Sequence, residues 1–126
     1  MQIENDSLEI NYSDCTRPEL QELIKDVLEP FQMVIKERKL TCKINLQNSV
    51  PANFFLMKKL YGEILYNLYQ NAVKFNKTNG TITTNVHFDA VKSKLITQIE
   101  DTGEGISASK KKTLFEVFRN TKRFGS

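Results

Sequence analysis

Residues 63–76 read EILYNLYQNAVKFN, and the placement of polar residues within this stretch decides how the chain is organised. Ile64, Leu65, Leu68, Ala72 and Val73 recur at steps of three and four, which predicts a helix. At roughly 100° per residue, Leu60, Ile64, Leu68 and Ala72 fall on one arc. Asn71 projects within that arc, and Asn67, Lys74 and Glu63 follow along its rim. A core-facing amide must find a hydrogen-bond partner, since burying it unpaired costs roughly 1–3 kcal/mol. The pattern therefore points to a polar pocket between this helix and whatever it packs on. An ordinary amphipathic helix with half-exposed asparagines has the same spacing, so the helix alone leaves both readings open.

The rest of the composition narrows the class of molecule. A chain of 126 residues is one domain, long enough to bury a core without staples. Hydrophobic and charged contents of 40% and 26% are ordinary for a soluble globular protein. A net charge of +3, evenly spread, gives no electrostatic footprint for nucleic acid. Cys15 and Cys42 show no ligand spacing and read as reduced thiols of an intracellular protein. No apolar run approaches the roughly 18 residues of a membrane span, so no membrane contact is expected of this chain.

Around the central helix, the order of elements follows from local signals. The first dozen residues alternate weakly at Leu8, Ile10 and Tyr12, as an edge strand or the tail of an upstream segment. Thr16-Arg17-Pro18-Glu19 has the form of a capping box with proline in the first turn. A helix is predicted from there to about Glu37, kinked at Pro30. Thr41 to Leu46 alternates and reads as a strand. Asn53 is the predicted N-cap of a long helix over about Phe54–Phe75. A turn closing on Asn79-Gly80 leads to strands over Thr81–Phe88 and Lys94–Glu100, an antiparallel hairpin. Strand parity turns Leu95, Thr97, Ile99 and then Asp101 to the buried side. A last helix is predicted over about Ser109–Arg119, anchored by Leu114, Phe115, Val117 and Phe118. Helix, strand, helix, hairpin, helix implies an α+β fold, a two-layer sandwich with helices on one face of a mixed sheet.

The second unusual segment is Asp101-Thr102-Gly103-Glu104-Gly105-Ile106. A carboxylate at the end of a buried strand needs a donor, such as a ligand amino group or ordered water. Gly103 and Gly105 permit close backbone approach to a ligand. The glycine spacing fits neither a dinucleotide fingerprint nor a P-loop. Taken together in order, three segments resemble the ATP-binding domain of sensor histidine kinases, in the ATPase superfamily shared with gyrase, MutL and Hsp90. Residues 63–75 are similar to its asparagine box, residues 101–106 to its first glycine box, and residues 114–118 to its phenylalanine box. The resemblance covers nearly the whole chain and implies the Bergerat-type ATP-binding fold.

That resemblance also implies roles. Asn71 would hold Mg²⁺ through its amide oxygen, a hard donor that suits a hard ion. Asn67 would contact phosphate or a metal-bound water, and Lys74 would place a point charge beside the phosphates. Asn67 and Lys74 are thus the catalytic candidates, and Glu63 is a further candidate at the metal. Asp101 would accept from the adenine amino group, Gly103 and Gly105 would give the nucleotide room, and Ile106 would cover the adenine. Phe75 reads as core packing rather than a ribose contact. Hydrolases of the superfamily carry a glutamate base four residues before the metal-binding asparagine, where this chain has Asn67. An amide cannot take a proton from water at neutral pH, which favours phosphoryl transfer over hydrolysis.

Three parts of the family pattern are missing from the sequence, one of them the acidic residue usual before the asparagine-box helix, where Phe54 to Met57 stand. No second glycine box is visible before Ser126, so the chain reads as a piece that stops within the ATP lid. The phosphate-accepting histidine has no candidate, since His87 sits on the polar parity of a strand. The resemblance implies a histidine-bearing dimerisation domain upstream, with residues 1–13 as linker, and a response-regulator receiver domain downstream. A cytoplasmic location is implied, with any membrane tether lying outside this sequence. A degenerate docking module of the same fold is the alternative.

Overall fold

A computed structural model describes residues 12–102, 109–115 and 118–119. Strand β1 (Ser13–Thr16) runs directly into helix α1 (Arg17–Leu28). The junction is the capping box expected: Thr16 Oγ1 accepts from the Glu19 N–H, and Glu19 Oε1 accepts from the Thr16 N–H. Pro30 falls in a single 3₁₀ turn, Glu29–Phe31, before α2 (Gln32–Glu37), the break in the helical run that its missing N–H demands. Strand β2 (Thr41–Leu46) follows, and the Arg17 guanidinium latches the loop beyond it by donating to the carbonyls of Leu46, Gln47 and Val50.

Asn53 does not cap the long helix. Residues Asn53–Leu56 form strand β3, paired antiparallel with β1, and helix α3 (Lys58–Lys74) starts only after Met57, without a side-chain cap. The reason is alternation: Phe54 and Leu56 are buried, Asn53 is exposed, and aromatic residues suit a pleated, half-buried surface. Strands β4 (Thr81–Asp89) and β5 (Lys94–Thr102) then make the antiparallel hairpin.

The segment predicted as a last helix is extended instead. Strand β6 (Ser109–Phe115) pairs antiparallel with β5, and β7 (Phe118–Arg119) pairs with β3. Without β6, the outer edge of β5 would present a row of unpaired backbone groups, and a lysine-rich sequence is well suited to serve as the new edge. The main sheet has the order β2-β4-β5-β6, parallel between β2 and β4 and antiparallel elsewhere, beside a small sheet β1-β3-β7. This is the mixed-sheet α+β sandwich expected.

The core lies between α3, α1 and the inner face of the hairpin. Leu20, Ile24, Leu28, Tyr61, Leu65, Tyr69, Ile82, Val86, Leu95 and Ile99 are all buried there. Its central line on α3 differs from the predicted arc. Tyr61, Leu65, Tyr69, Ala72 and Val73 face inward, while Leu60, Ile64 and Leu68 are only partly covered. Tyrosine can take the core position because each hydroxyl finds a buried partner: Tyr61 meets Thr97 Oγ1 at 2.7 Å, and Tyr69 meets Thr84 Oγ1. Burial raises both phenol pKa values above the ordinary range, so both stay neutral.

Candidate functional site

Rotating the core line onto the two tyrosines moves the polar residues of α3 outward. Asn71, predicted within the buried arc, is exposed, as are Glu63, Asn67 and Lys74. The four stand at i, i+4, i+8 and i+11, a single row about 16 Å long on the helix surface. Glu63 and Asn67 line a groove of about 590 Å³ with Leu23, Lys58, Lys59, Gly62 and Tyr66. Tyr66 is braced there by Phe31, whose ring centroid is 5.1 Å away. Asn71 and Lys74 lie further along the row, outside that groove. Lys74 Nζ stands 5.3 Å from the centre of the Phe75 ring. Phe75 is 54% exposed and therefore not core packing: it follows the last helical residue and supports the ammonium from outside.

Asp101 is where parity placed it. It lies on the inward side of β5, 8% exposed, with Ile82 of β4 directly opposite. A carboxylate so placed is desolvated and selects a hydrogen-bond donor as its neighbour. Gly103, Gly105 and Ile106, the other residues expected to meet a nucleotide, lie outside the described residues, as do the side chains of the phenylalanine-box segment.

The carboxyl end of α3 and the end of β5 are brought together by residues that sequence reading overlooked. Arg38 donates to the carbonyl of Val73 at 2.7 Å, in the last turn of the helix, and to the carbonyl of Asn76 just beyond it. The spacing of 35 residues to Val73 gives no local signal for this contact. Asn76 is 0% exposed. Its Oδ1 accepts from the Lys77 N–H at 2.8 Å and from Thr102 Oγ1 at 2.7 Å, and its Nδ2 donates to the Thr81 carbonyl at 3.1 Å. In the sequence Asn76 is merely an asparagine two residues past the end of the helix, which does not distinguish it from an ordinary turn residue.

Chemically, the arrangement sets a desolvated carboxylate at a strand end and, on the adjoining helix, a row of amides that ends on the Lys74 ammonium. Among the described residues no group of three or more His, Cys, Asp or Glu could hold a metal. On the helix row, the oxygens that could face a divalent ion are the amides of Asn67 and Asn71 and the carboxylate of Glu63, an all-oxygen set that suits Mg²⁺ with phosphates better than a transition metal.

Residues 58–126 match the family described as "Histidine kinase-, DNA gyrase B-, and HSP90-like ATPase". The adaptive-response sensory kinase SasA of Synechocystis is 31% identical over 97 residues, 77% of this chain and 25% of the relative. The histidine protein kinase SaeS of Staphylococcus aureus is 31% identical over 114 residues, 86% of this chain and 32% of the relative. This chain thus spans about a quarter to a third of the curated relatives it matches. Among solved structures, histidine kinase ThkA in complex with the response regulator protein TrrA aligns with a TM-score of 0.60 at 21% identity. That alignment covers 75% of this chain and 27% of the other, and it supports the fold.

Proposed function

Because this chain belongs to the histidine kinase-, DNA gyrase B- and HSP90-like ATPases, we propose that it is the ATP-binding part of a two-component sensor histidine kinase. In the full protein it donates the γ-phosphoryl group of ATP to a histidine on a separate dimerisation domain, from which a response regulator is charged. The observation that carries this reading is the buried carboxylate of Asp101 at the end of β5, beside the helix that bears Asn67, Asn71 and Lys74. Asp101 accepts from the adenine amino group and so selects the base. Asn71 offers its amide oxygen to Mg²⁺, with Glu63 a further candidate at its waters. Bound Mg²⁺ supplies charge neutralisation of the phosphates. Asn67 and Lys74 hold and orient the phosphate chain, and Gly103, Gly105 and Ile106 enclose the base. Catalysis rests on positioning and charge, because Asn67 is no base and cannot activate water. Partial coverage of the relatives supports reading residues 1–126 as one ATP-binding domain within a longer, cytoplasmic or membrane-tethered protein.

Calorimetry of the full-length protein with Mg-ATP tests this. Asn71→Ala and Asp101→Asn are expected to weaken binding about tenfold or more while the fold persists by circular dichroism. A parent that binds no ATP, or variants indistinguishable from a parent that does, overturns the reading in favour of a docking module of the same fold.

A further inference from the structure

Asn76 and Thr102 lie outside every assigned role, yet they complete a closed ring of directed hydrogen bonds. Asn76 Nδ2 donates to the Thr81 carbonyl at 3.1 Å, the Thr81 N–H donates to Thr102 Oγ1 at 3.1 Å, and Thr102 Oγ1 donates to Asn76 Oδ1 at 2.7 Å. The sense of the ring is fixed, since the hydroxyl has one proton and the Thr81 backbone N–H and carbonyl set the other two directions. Thr41 and Arg38 tie the same corner from outside, through the Gly80 carbonyl at 3.0 Å and the Val73 and Asn76 carbonyls. Gly80 packs so tightly under the ring that it has no room for a Cβ.

The ring joins two parts of the chain that carry the nucleotide roles. Asn76 comes two residues after Lys74 and five after Asn71, at the end of a rigid helix. Thr102 is bonded covalently to Asp101, at the end of a central strand. The two tyrosine pairs that also join this helix to the sheet, Tyr61–Thr97 and Tyr69–Thr84, sit further back in the core. We propose that Asn76 and Thr102 are positioning residues that fix the separation between the adenine-binding strand end and the phosphate-binding helix end. This inference rests on the nucleotide reading above. A ligand that spans both ends needs the separation held; a ligand that fills only one end does not.

Thr102→Val keeps the shape and removes the hydroxyl, and Thr102→Ser keeps the hydroxyl. In the full-length protein, competition against a fluorescent ATP analogue reads ATP and adenosine side by side, well below each variant's melting temperature. Thr102→Val is expected to weaken ATP about tenfold but adenosine no more than about twofold, with Thr102→Ser within about twofold of the parent for both. A lower melting temperature with unchanged affinities, or an equal loss for both ligands, overturns the positioning role and leaves the nucleotide reading intact. A parent that binds neither ligand overturns both.

Discussion

A Cβ added at Gly80 would press on Asn76 Oδ1 and Thr102 Oγ1 and stand 2.8 Å from the Lys77 carbonyl. Two of these atoms belong to a buried ring and the third is backbone, so none can swing aside cheaply. Gly80→Ala is therefore expected to destabilise the fold by about 2 kcal/mol or more, read as a lower urea midpoint at an unchanged slope. Cys15 acts through its proton instead. Burial lifts its thiol from an ordinary 9.0 to about 11, a rise moderated by Lys58 and reinforced by Glu19. The native state then holds a proton that the unfolded chain releases above pH 9, so stability is flat below that pH and falls as pH rises toward 11. Cys42 is raised in the same direction by burial and adds to the slope. Urea titrations from pH 8 to 11 should show the decline, and Cys15→Ala should make it shallower. Equal slopes in parent and variant would exclude Cys15 as a source.

The long helix α3 is pinned to the sheet by two tyrosines two turns apart, one hydroxyl reaching Thr97 on β5 and the other Thr84 on β4. Tyr61→Phe leaves the Thr97 hydroxyl buried without this partner and is expected to cost about 1–2 kcal/mol, measurable by chemical denaturation. That pinning explains how far the sequence could be read. The capping box at Thr16, the strand Thr41–Leu46 and the hairpin were legible because each signal lies within a few residues of the structure it makes. Counting aliphatic residues alone rotated the predicted core line of α3 toward Leu60, Ile64 and Leu68, and so placed Asn71 inside. Tyrosine is ambiguous in a sequence, because its burial depends on an acceptor supplied by a distant strand. The same non-locality hid β3, which exists through pairing with β1, and β6, which exists through pairing with β5. Asp101 was legible since strand parity is local, whereas the ring through Asn76 depends on a partner 26 residues away.

At the scale of the whole molecule, the sandwich assigns different tasks to its two layers. The sheet delivers one desolvated carboxylate, and the helical layer delivers a row of amides and an ammonium at its surface. Neither layer places a proton acceptor where Asn67 stands, four residues before Asn71. Within the proposed phosphoryl transfer, water beside the γ-phosphate thus lacks, at Asn67, the base that a hydrolase of this superfamily provides, in keeping with the proposed transfer to a histidine. The expected consequence concerns where the phosphate goes. With γ-labelled Mg-ATP, full-length protein should retain label as an acid-labile, alkali-stable phosphoryl group, and free phosphate should form far more slowly. Asn67→Glu installs a carboxylate at an exposed position that accommodates it without burial, so folding should be unaffected. The variant is expected to release free phosphate at least about tenfold faster than the parent, in keeping with the contribution of a positioned general base. Prompt phosphate release by the parent, or no label retained on protein that demonstrably binds ATP, would show that this helix does not bias the reaction toward transfer.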